Sequence, residues 1–97
     1  MPGDRFFAAT LDAGGLHVRG LGAAEPWDRS RLEYSDAADV DLVMGGGLGD
    51  RKIDTPEELR AVLGRENAPN ATPRKVWIHE RYLDEVRRYH EQRARRA

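Results

Sequence analysis

The chain has 97 residues, of which 39% are hydrophobic and 34% charged, and its formal net charge is −1. This apolar content is enough for one small core, so we expect a single domain over residues 1–97. The near balance of charge favours neither a nucleic-acid partner nor an acidic substrate. The chain has no cysteine, which excludes disulfides, thiolate metal sites and cysteine nucleophiles.

The sequence carries no sign of membrane insertion or secretion. No apolar run approaches the roughly 18 to 20 residues that a transmembrane helix needs, and the first residues lack a basic leader followed by an apolar stretch. Of the 16 basic residues 14 are arginine, which together with abundant Ala and Gly indicates a high-GC bacterial or phage source. We therefore expect a cytoplasmic protein, or a virion-associated one if it derives from a phage.

The first element predicted along the chain is a β-hairpin. Residues 5–11 and 16–19 are typical of strands, because Leu16 and Val18 alternate with polar residues. The Asp and Gly residues between the two segments tolerate the positive φ of a tight turn. Residues 20–30 contain Gly, Pro, Asp and Ser with little periodicity, and this composition predicts a connecting loop.

A second pair of strands is predicted around a glycine-rich segment. Residues 32–34 fit a short strand and residues 39–44 a longer one, to which residues 51–53 return antiparallel. The tip between the last two strands is predicted to be a mobile hairpin tip or a partner-facing loop. It consists of Gly45, Gly46, Gly47, Leu48, Gly49 and the following Asp50.

The strongest helix signal lies in the middle of the chain. Thr55 is predicted to cap a helix over residues 56–63, with Pro56 in its first turn and Glu58 completing a capping box. Gly64 is expected to end the helix in the left-handed conformation. The residues after it, 64–74, contain two prolines and two asparagines and are predicted to form a loop.

The last quarter of the chain is predicted to contain a strand and a long helix. A helix could begin at residues 72–73, but a strand over residues 75–78 is preferred because Arg74 and Lys75 would otherwise face the positive end of a helix dipole. A helix over residues 80–93 follows, since its apolar residues recur on one arc. Arg93 enters that arc, so residues 93–97 are expected to project as a basic extension. The predicted fold is a small α+β domain.

No pattern of catalytic residues emerges from the motifs. The glycine segment is not followed by the Gly-Lys-Ser/Thr of a phosphate-binding loop. Asp39, Asp41 and the Asp50-Arg51-Lys52 run are only loosely spaced like the metal-binding acids of nucleases. His79 and His90 lie about 16 Å apart along a continuous helix, too far to share one metal ion. We expect no catalytic residue, no cofactor and no metal site.

Charge is distributed unevenly along the chain. Residues 1–73 contain eight basic and thirteen acidic side chains, whereas residues 74–97 contain eight basic and four acidic ones. Acidic residues four positions before Arg88 and Arg95 are expected to pair with them and so reduce the excess of positive charge in residues 74–97. The candidate interaction residues, besides the glycine segment, are Trp77, Arg87, Arg88, Arg93, Arg95 and Arg96.

These features predict a non-catalytic protein–protein interaction module with an assembly or adaptor role. A phage structural or accessory protein is one concrete version. Its partner would be another protein or a second copy of the chain, and no membrane is expected. The alternative hypothesis is a small nucleic-acid-binding protein that uses the arginine-rich last helix to contact phosphates.

Overall fold

A computed structural model describes residues 5–12, 15–22, 24–44, 51–64 and 74–96. In these residues one mixed sheet of five strands packs against three α-helices, which confirms the predicted α+β class. The strands are β1 (Arg5–Asp12), β2 (Gly15–Val18), β3 (Tyr34–Asp36), β4 (Arg51–Ile53) and β5 (Arg74–His79). The helices are α1 (Ala37–Met44), α2 (Pro56–Leu63) and α3 (Leu83–Arg96).

Strand β1 lies at the centre of the sheet. Along one edge it pairs antiparallel with β3 through its first residues and with β2, its hairpin partner, through its last. Along the other edge it pairs antiparallel with β5, from Phe6 opposite His79 to Leu11 opposite Arg74. Strand β4 pairs parallel with the far side of β5. All other strands therefore run opposite to β1, and the carboxyl ends of β3, β4 and β5 lie at the same end of the sheet.

The two faces of the sheet bury different sets of side chains. The larger core contains Phe7, Ala9 and Leu11 of β1 and is covered by α2 and α3. The smaller cluster on the opposite face consists of Phe6, Ala8, Val40 and Trp77. Because Val40 belongs to α1, this helix covers the second face. Because successive side chains of β1 point to opposite faces, the strand contributes to a core on both sides of the sheet, as expected of a central strand.

The loop between β2 and β3 closes one end of the larger core. Gly20 has a φ of +99°, and a Cβ at this position would collide with the carbonyl oxygen of Arg31. Glu25 accepts hydrogen bonds from the amide of Gly22 and the guanidinium of Arg31. The hydrogen bond from Arg31, then that from Gly22, lowers the pKa of Glu25. These contacts fix the loop while Leu21 and Leu32 are buried beneath it.

The predicted second strand pair is wrong. Residues 39–44 belong to helix α1, in which the Asp36 carboxylate accepts the amide of Asp39 at 2.9 Å. This cap and the acid in the first turn favour a helix, and Val40 still reaches the apolar cluster from it. β4 accordingly pairs parallel with β5 and not antiparallel with residues 39–44. The short strand predicted over residues 32–34 is found at Tyr34–Asp36.

The predicted helix cap is confirmed at α2, with two differences in detail. The amide of Glu58 donates to Thr55 Oγ1 at 3.2 Å, and Pro56 occupies the first turn. Glu58 Oε1, however, accepts from the amide of Asp54 and not from that of Thr55. Gly64 ends the helix with a φ of −86°, so the predicted left-handed conformation is wrong. The Gly64 amide instead donates to the carbonyl oxygen of Arg60, which continues the hydrogen-bond pattern of the helix.

The predicted strand and helix near the carboxyl end are both present. The strand is β5, which includes residues 75–78. A 3-10 turn, Glu80–Tyr82, precedes α3. Of the residues 93–97 expected to project, Arg93 does not, because Arg93 Nη1 donates to the carbonyl oxygen of Leu16 at 3.0 Å and to the hydroxyl of Tyr89 at 3.2 Å. The amide of Leu16 donates to the same hydroxyl at 3.3 Å. Side chains of α3 therefore cover polar groups of the sheet edge at β2.

Replacing Thr55 with alanine should lower the free energy of unfolding by about 0.5 to 2 kcal/mol, because the amide of Glu58 loses its acceptor. Thr55→Ser, which retains the hydroxyl, should stay near the wild-type value. Chemical denaturation of the three proteins measures the difference. Equal stability of the alanine and serine variants would contradict the cap.

Replacing Arg93 with methionine should lower the free energy of unfolding by about 1 to 2 kcal/mol, since the partly buried carbonyl of Leu16 loses a charged donor. The control is Arg95→Met on the same helix, where the side chain is exposed, and this change should stay within about 0.5 kcal/mol. Thermal and urea unfolding compare the two variants. A smaller loss at Arg93 than at Arg95 would show that the contact with β2 contributes nothing.

Candidate functional site

The order of β4, α2 and β5 makes a parallel crossover unit, with Arg51 opposite Val76 and Ile53 opposite Ile78. The carboxyl ends of both strands therefore lie side by side. Helix α2 leaves this end on one face of the sheet, whereas α1 leaves the carboxyl end of β3, which lies beyond β1, on the opposite face. In α/β sheets the space between helices that leave on opposite faces is a common place for ligands.

A cleft of about 180 Å³ opens at this end of the sheet. Its lining residues come from β1, from the start of α1, and from the ends of β4 and β5 with the residues that follow them. They are Phe6, Ala37, Lys52, Asp54, His79 and Arg81. The lining is therefore dominated by polar and charged groups.

Phe6 supports two of the polar side chains. It is 2% exposed, with Lys52 Nζ 5.4 Å from its ring centroid. The imidazole of His79 meets the same ring edge-on, with 5.1 Å between the centroids. The Phe6 ring therefore supports the Lys52 ammonium and the His79 imidazole. Because so little of the ring is exposed, it is not a stacking surface for a ligand.

The hydrogen bonding of His79 fixes which nitrogen carries the proton. Nδ1 accepts the backbone amide of Arg81 at 3.1 Å. The neutral imidazole therefore has its proton on Nε2, which makes that nitrogen a donor. Because the accepting interaction is made with the backbone of the following turn, the orientation of the ring is set by the fold.

Arg81 is held against the segment between β4 and α2. Its Nη2 donates to the carbonyl oxygen of Asp54 at 2.6 Å and also to the Asp54 carboxylate. The hydroxyl of Tyr82 donates to the same carbonyl oxygen at 3.3 Å. The side chains of Arg81 and Asp54 are 51% and 43% exposed, so the pair is accessible to solvent.

The charges of this lining suit an oxyanion. Lys52 and Arg81 are cations, Asp54 is an anion, and His79 carries a proton on Nε2. Ammonium and guanidinium groups form the stronger, charge-assisted hydrogen bonds with carboxylates, sulfates and phosphates. The start of α1 adds little, because the Asp36 carboxylate already accepts an amide of its first turn. The side chains, and not the helix end, therefore determine what the cleft can bind.

The predicted interaction candidates that the structure describes lie on different parts of the fold. Trp77 is 3% exposed beneath α1, on the sheet face opposite α3. Its ring lies under Lys75 Nζ at 4.4 Å, and its Nε1 has no hydrogen-bond partner among the described residues. Side-chain positions of Arg96 and the segment Gly45, Gly46, Gly47, Leu48 and Gly49 lie outside the described residues.

The arginines of α3 have distinct surroundings. Arg87 pairs with Asp84 at 3.6 Å and with Glu91 at 3.3 Å. Arg88 and Arg95 are exposed, and the ion pairs predicted for them four residues earlier are not formed in the described part of the helix. The acidic residues of α3 therefore neutralise Arg87 instead.

The three histidines lie in separate surroundings. His17 contacts Asp12 at 3.3 Å, and His90 Nε2 lies 2.7 Å from the carbonyl oxygen of Glu25. His79 belongs to the cleft. Within the described residues no group of three or more His, Cys, Asp or Glu side chains is placed to hold a metal ion. Nor is any helix in the described ranges long and apolar enough to span a bilayer.

The cleft residues Lys52, Asp54, His79 and Arg81 were not among the predicted interaction residues. A signal for them was present, since a strand over residues 51–53, a helix over 56–63 and a strand over 75–78 form a strand–helix–strand sequence typical of parallel pairing. The prediction paired residues 51–53 with residues 39–44 and therefore missed their parallel pairing with residues 75–78. Comparison of the chain with protein-family models, curated proteins and solved structures finds no match.

Proposed function

We propose that this protein is a non-catalytic binding module, whose cleft at the carboxyl ends of β4 and β5 accepts an anionic group carried by a partner protein. The observation that carries the proposal is the convergence of Lys52, His79 and Arg81 on one cleft, around buried Phe6. Such a module suits an assembly or adaptor role, for example in a phage particle.

The donors favour a compact anionic group over an extended or aromatic ligand. Lys52 and His79 are both supported by the ring of Phe6, and Arg81 is held by its bond to the backbone carbonyl oxygen of Asp54. Donors that are already ordered lose little conformational entropy when an anion binds. A carboxylate, or a phosphate or sulfate group on a partner side chain, matches this arrangement.

The distribution of cations supports a protein partner over a nucleic acid. In the described part of the carboxyl-terminal quarter, Lys75, Arg81 and Arg87 form ion pairs. Arg93 is committed to the β2 edge. Binding to a nucleic-acid backbone requires several cations along a continuous path, whereas the cleft offers room for one group. The exposed residues Arg88 and Arg95 keep the nucleic-acid hypothesis as the alternative to be tested.

Titration with sulfate at neutral pH should perturb the NMR signals of Lys52, His79 and Arg81 together. Lys52→Met should weaken the affinity about five-fold, which corresponds to the roughly 1 kcal/mol expected from one partly exposed charged hydrogen bond. The matched control is Lys75→Met, which removes the chain's other lysine from above an aromatic ring but leaves the lining of the cleft unchanged.

Equal weakening by the two lysine variants would mean that sulfate binds through general charge, and would contradict the proposal. Titration with DNA or RNA tests the alternative. Shifts concentrated at Arg88 and Arg95, with an affinity that falls steeply with salt, would favour a nucleic-acid-binding protein. Folding of each variant is checked by its thermal unfolding, since Lys52 also lies over Phe6.

A further inference from the structure

We propose that Asp54 is an internal counter-anion of the cleft, which competes with an incoming anion for Arg81 and so sets the affinity of the site. The inference rests on the proposed anion-binding function. Asp54 and Arg81 line the same cleft, and Arg81 Nη2 donates to the Asp54 carboxylate. A carboxylate in this place resembles the group that the cleft would bind.

The backbone of Asp54, and not its side chain, connects the surrounding elements. Its amide donates to Glu58 Oε1 at 3.3 Å, which joins the end of β4 to α2. Its carbonyl oxygen accepts from Arg81 and from the hydroxyl of Tyr82. The carboxylate adds only the second bond to Arg81. Loss of its charge should therefore leave the fold and the position of Arg81 largely intact.

The exposure of the pair makes such competition feasible. With side chains 51% and 43% exposed, an ion pair of this kind contributes little to stability. An external anion at Arg81 therefore displaces the Asp54 carboxylate at small cost, and the displaced carboxylate is readily hydrated. While it remains nearby, its charge repels the bound anion.

The repulsion has a quantitative signature. Coulomb energy is proportional to the charge of the ligand, so Asp54 opposes a dianion about twice as strongly as a monoanion. Removing the charge should raise the affinities for both, and the factor for the dianion should be about the square of the factor for the monoanion. A carboxylate whose role is only to position Arg81 would give the opposite sign, because its loss would weaken binding.

The experiment compares Asp54→Asn with wild type in titrations with sulfate and with acetate at neutral pH and fixed ionic strength. Asparagine retains an Oδ1 acceptor for Arg81 and removes the charge. We expect acetate to bind about two- to three-fold more tightly and sulfate about four- to nine-fold more tightly, as for a screened, solvent-exposed charge. The control is Asp84→Asn, which takes a carboxylate from another exposed arginine pair, on α3 and outside the cleft lining.

The outcomes separate this inference from the proposed function. If wild type and Lys52→Met bind sulfate equally, the proposed function fails. If wild-type binding depends on Lys52 but Asp54→Asn leaves the affinity unchanged or lowers it, only the role of Asp54 is overturned. An increase of the same size in Asp84→Asn would also overturn it, because the effect would then be one of net charge.

A measurement on the wild-type protein does not depend on the folding of any variant. During the sulfate titration, the NMR signal of the Asp54 carboxyl carbon should shift with the same saturation curve as the signals of Lys52 and Arg81. This is expected because Arg81 exchanges the carboxylate for sulfate. A carboxyl signal that stays constant while the other two saturate would overturn the proposal.

Discussion

The antiparallel pairing of β1 with β5 is the interaction on which the rest of the structure depends. The ladder joins Phe6 to His79 at one end and Leu11 to Arg74 at the other, so the paired residues are more than sixty positions apart in sequence. Both strands alternate between two apolar faces. One face is packed by α2 and α3, and the other by α1. Each of the three α-helices therefore packs in a cluster to which these two strands contribute.

The same ladder assembles the cleft. Its register places His79 directly opposite Phe6, and the parallel ladder with β4 brings Lys52 beside β5 on that face. A shift of either strand by one residue would turn these side chains to the other face of the sheet. The charged head groups therefore converge because apolar packing fixes the register, so the site is a consequence of the core.

The arginine-rich carboxyl-terminal quarter serves the fold more than its net charge suggests. Arg93 covers polar groups of β2, Arg81 ties the end of β4 to the turn before α3, and Arg87 pairs with two acids of its own helix. Long arginine side chains reach neighbouring elements while keeping the guanidinium partly in water. An excess of positive charge in sequence is therefore weak evidence for phosphate binding unless the structure leaves the cations in a row.

The sequence by itself determined the elements whose signals are local. The hairpin follows from alternation around an Asp/Gly turn, α2 from the capping residues Thr55 and Glu58, and α3 from the helical recurrence of its apolar residues. In each case the residues that decide the conformation lie within a few positions of one another, so their energies act without the rest of the fold.

Only the tertiary structure decided the partner of β4 and the existence of the cleft, and it completed the choice of conformation at residues 39–44. That short stretch of alternating acidic and apolar residues satisfies a strand or a helix; the Asp36 cap is a local signal for the helix, and the sheet face that Val40 covers adds a contact from outside the segment. The pairing of β4 with β5 joins segments separated by a helix and a loop. Such contacts between distant residues depend on the packing of the whole chain, which no local pattern encodes.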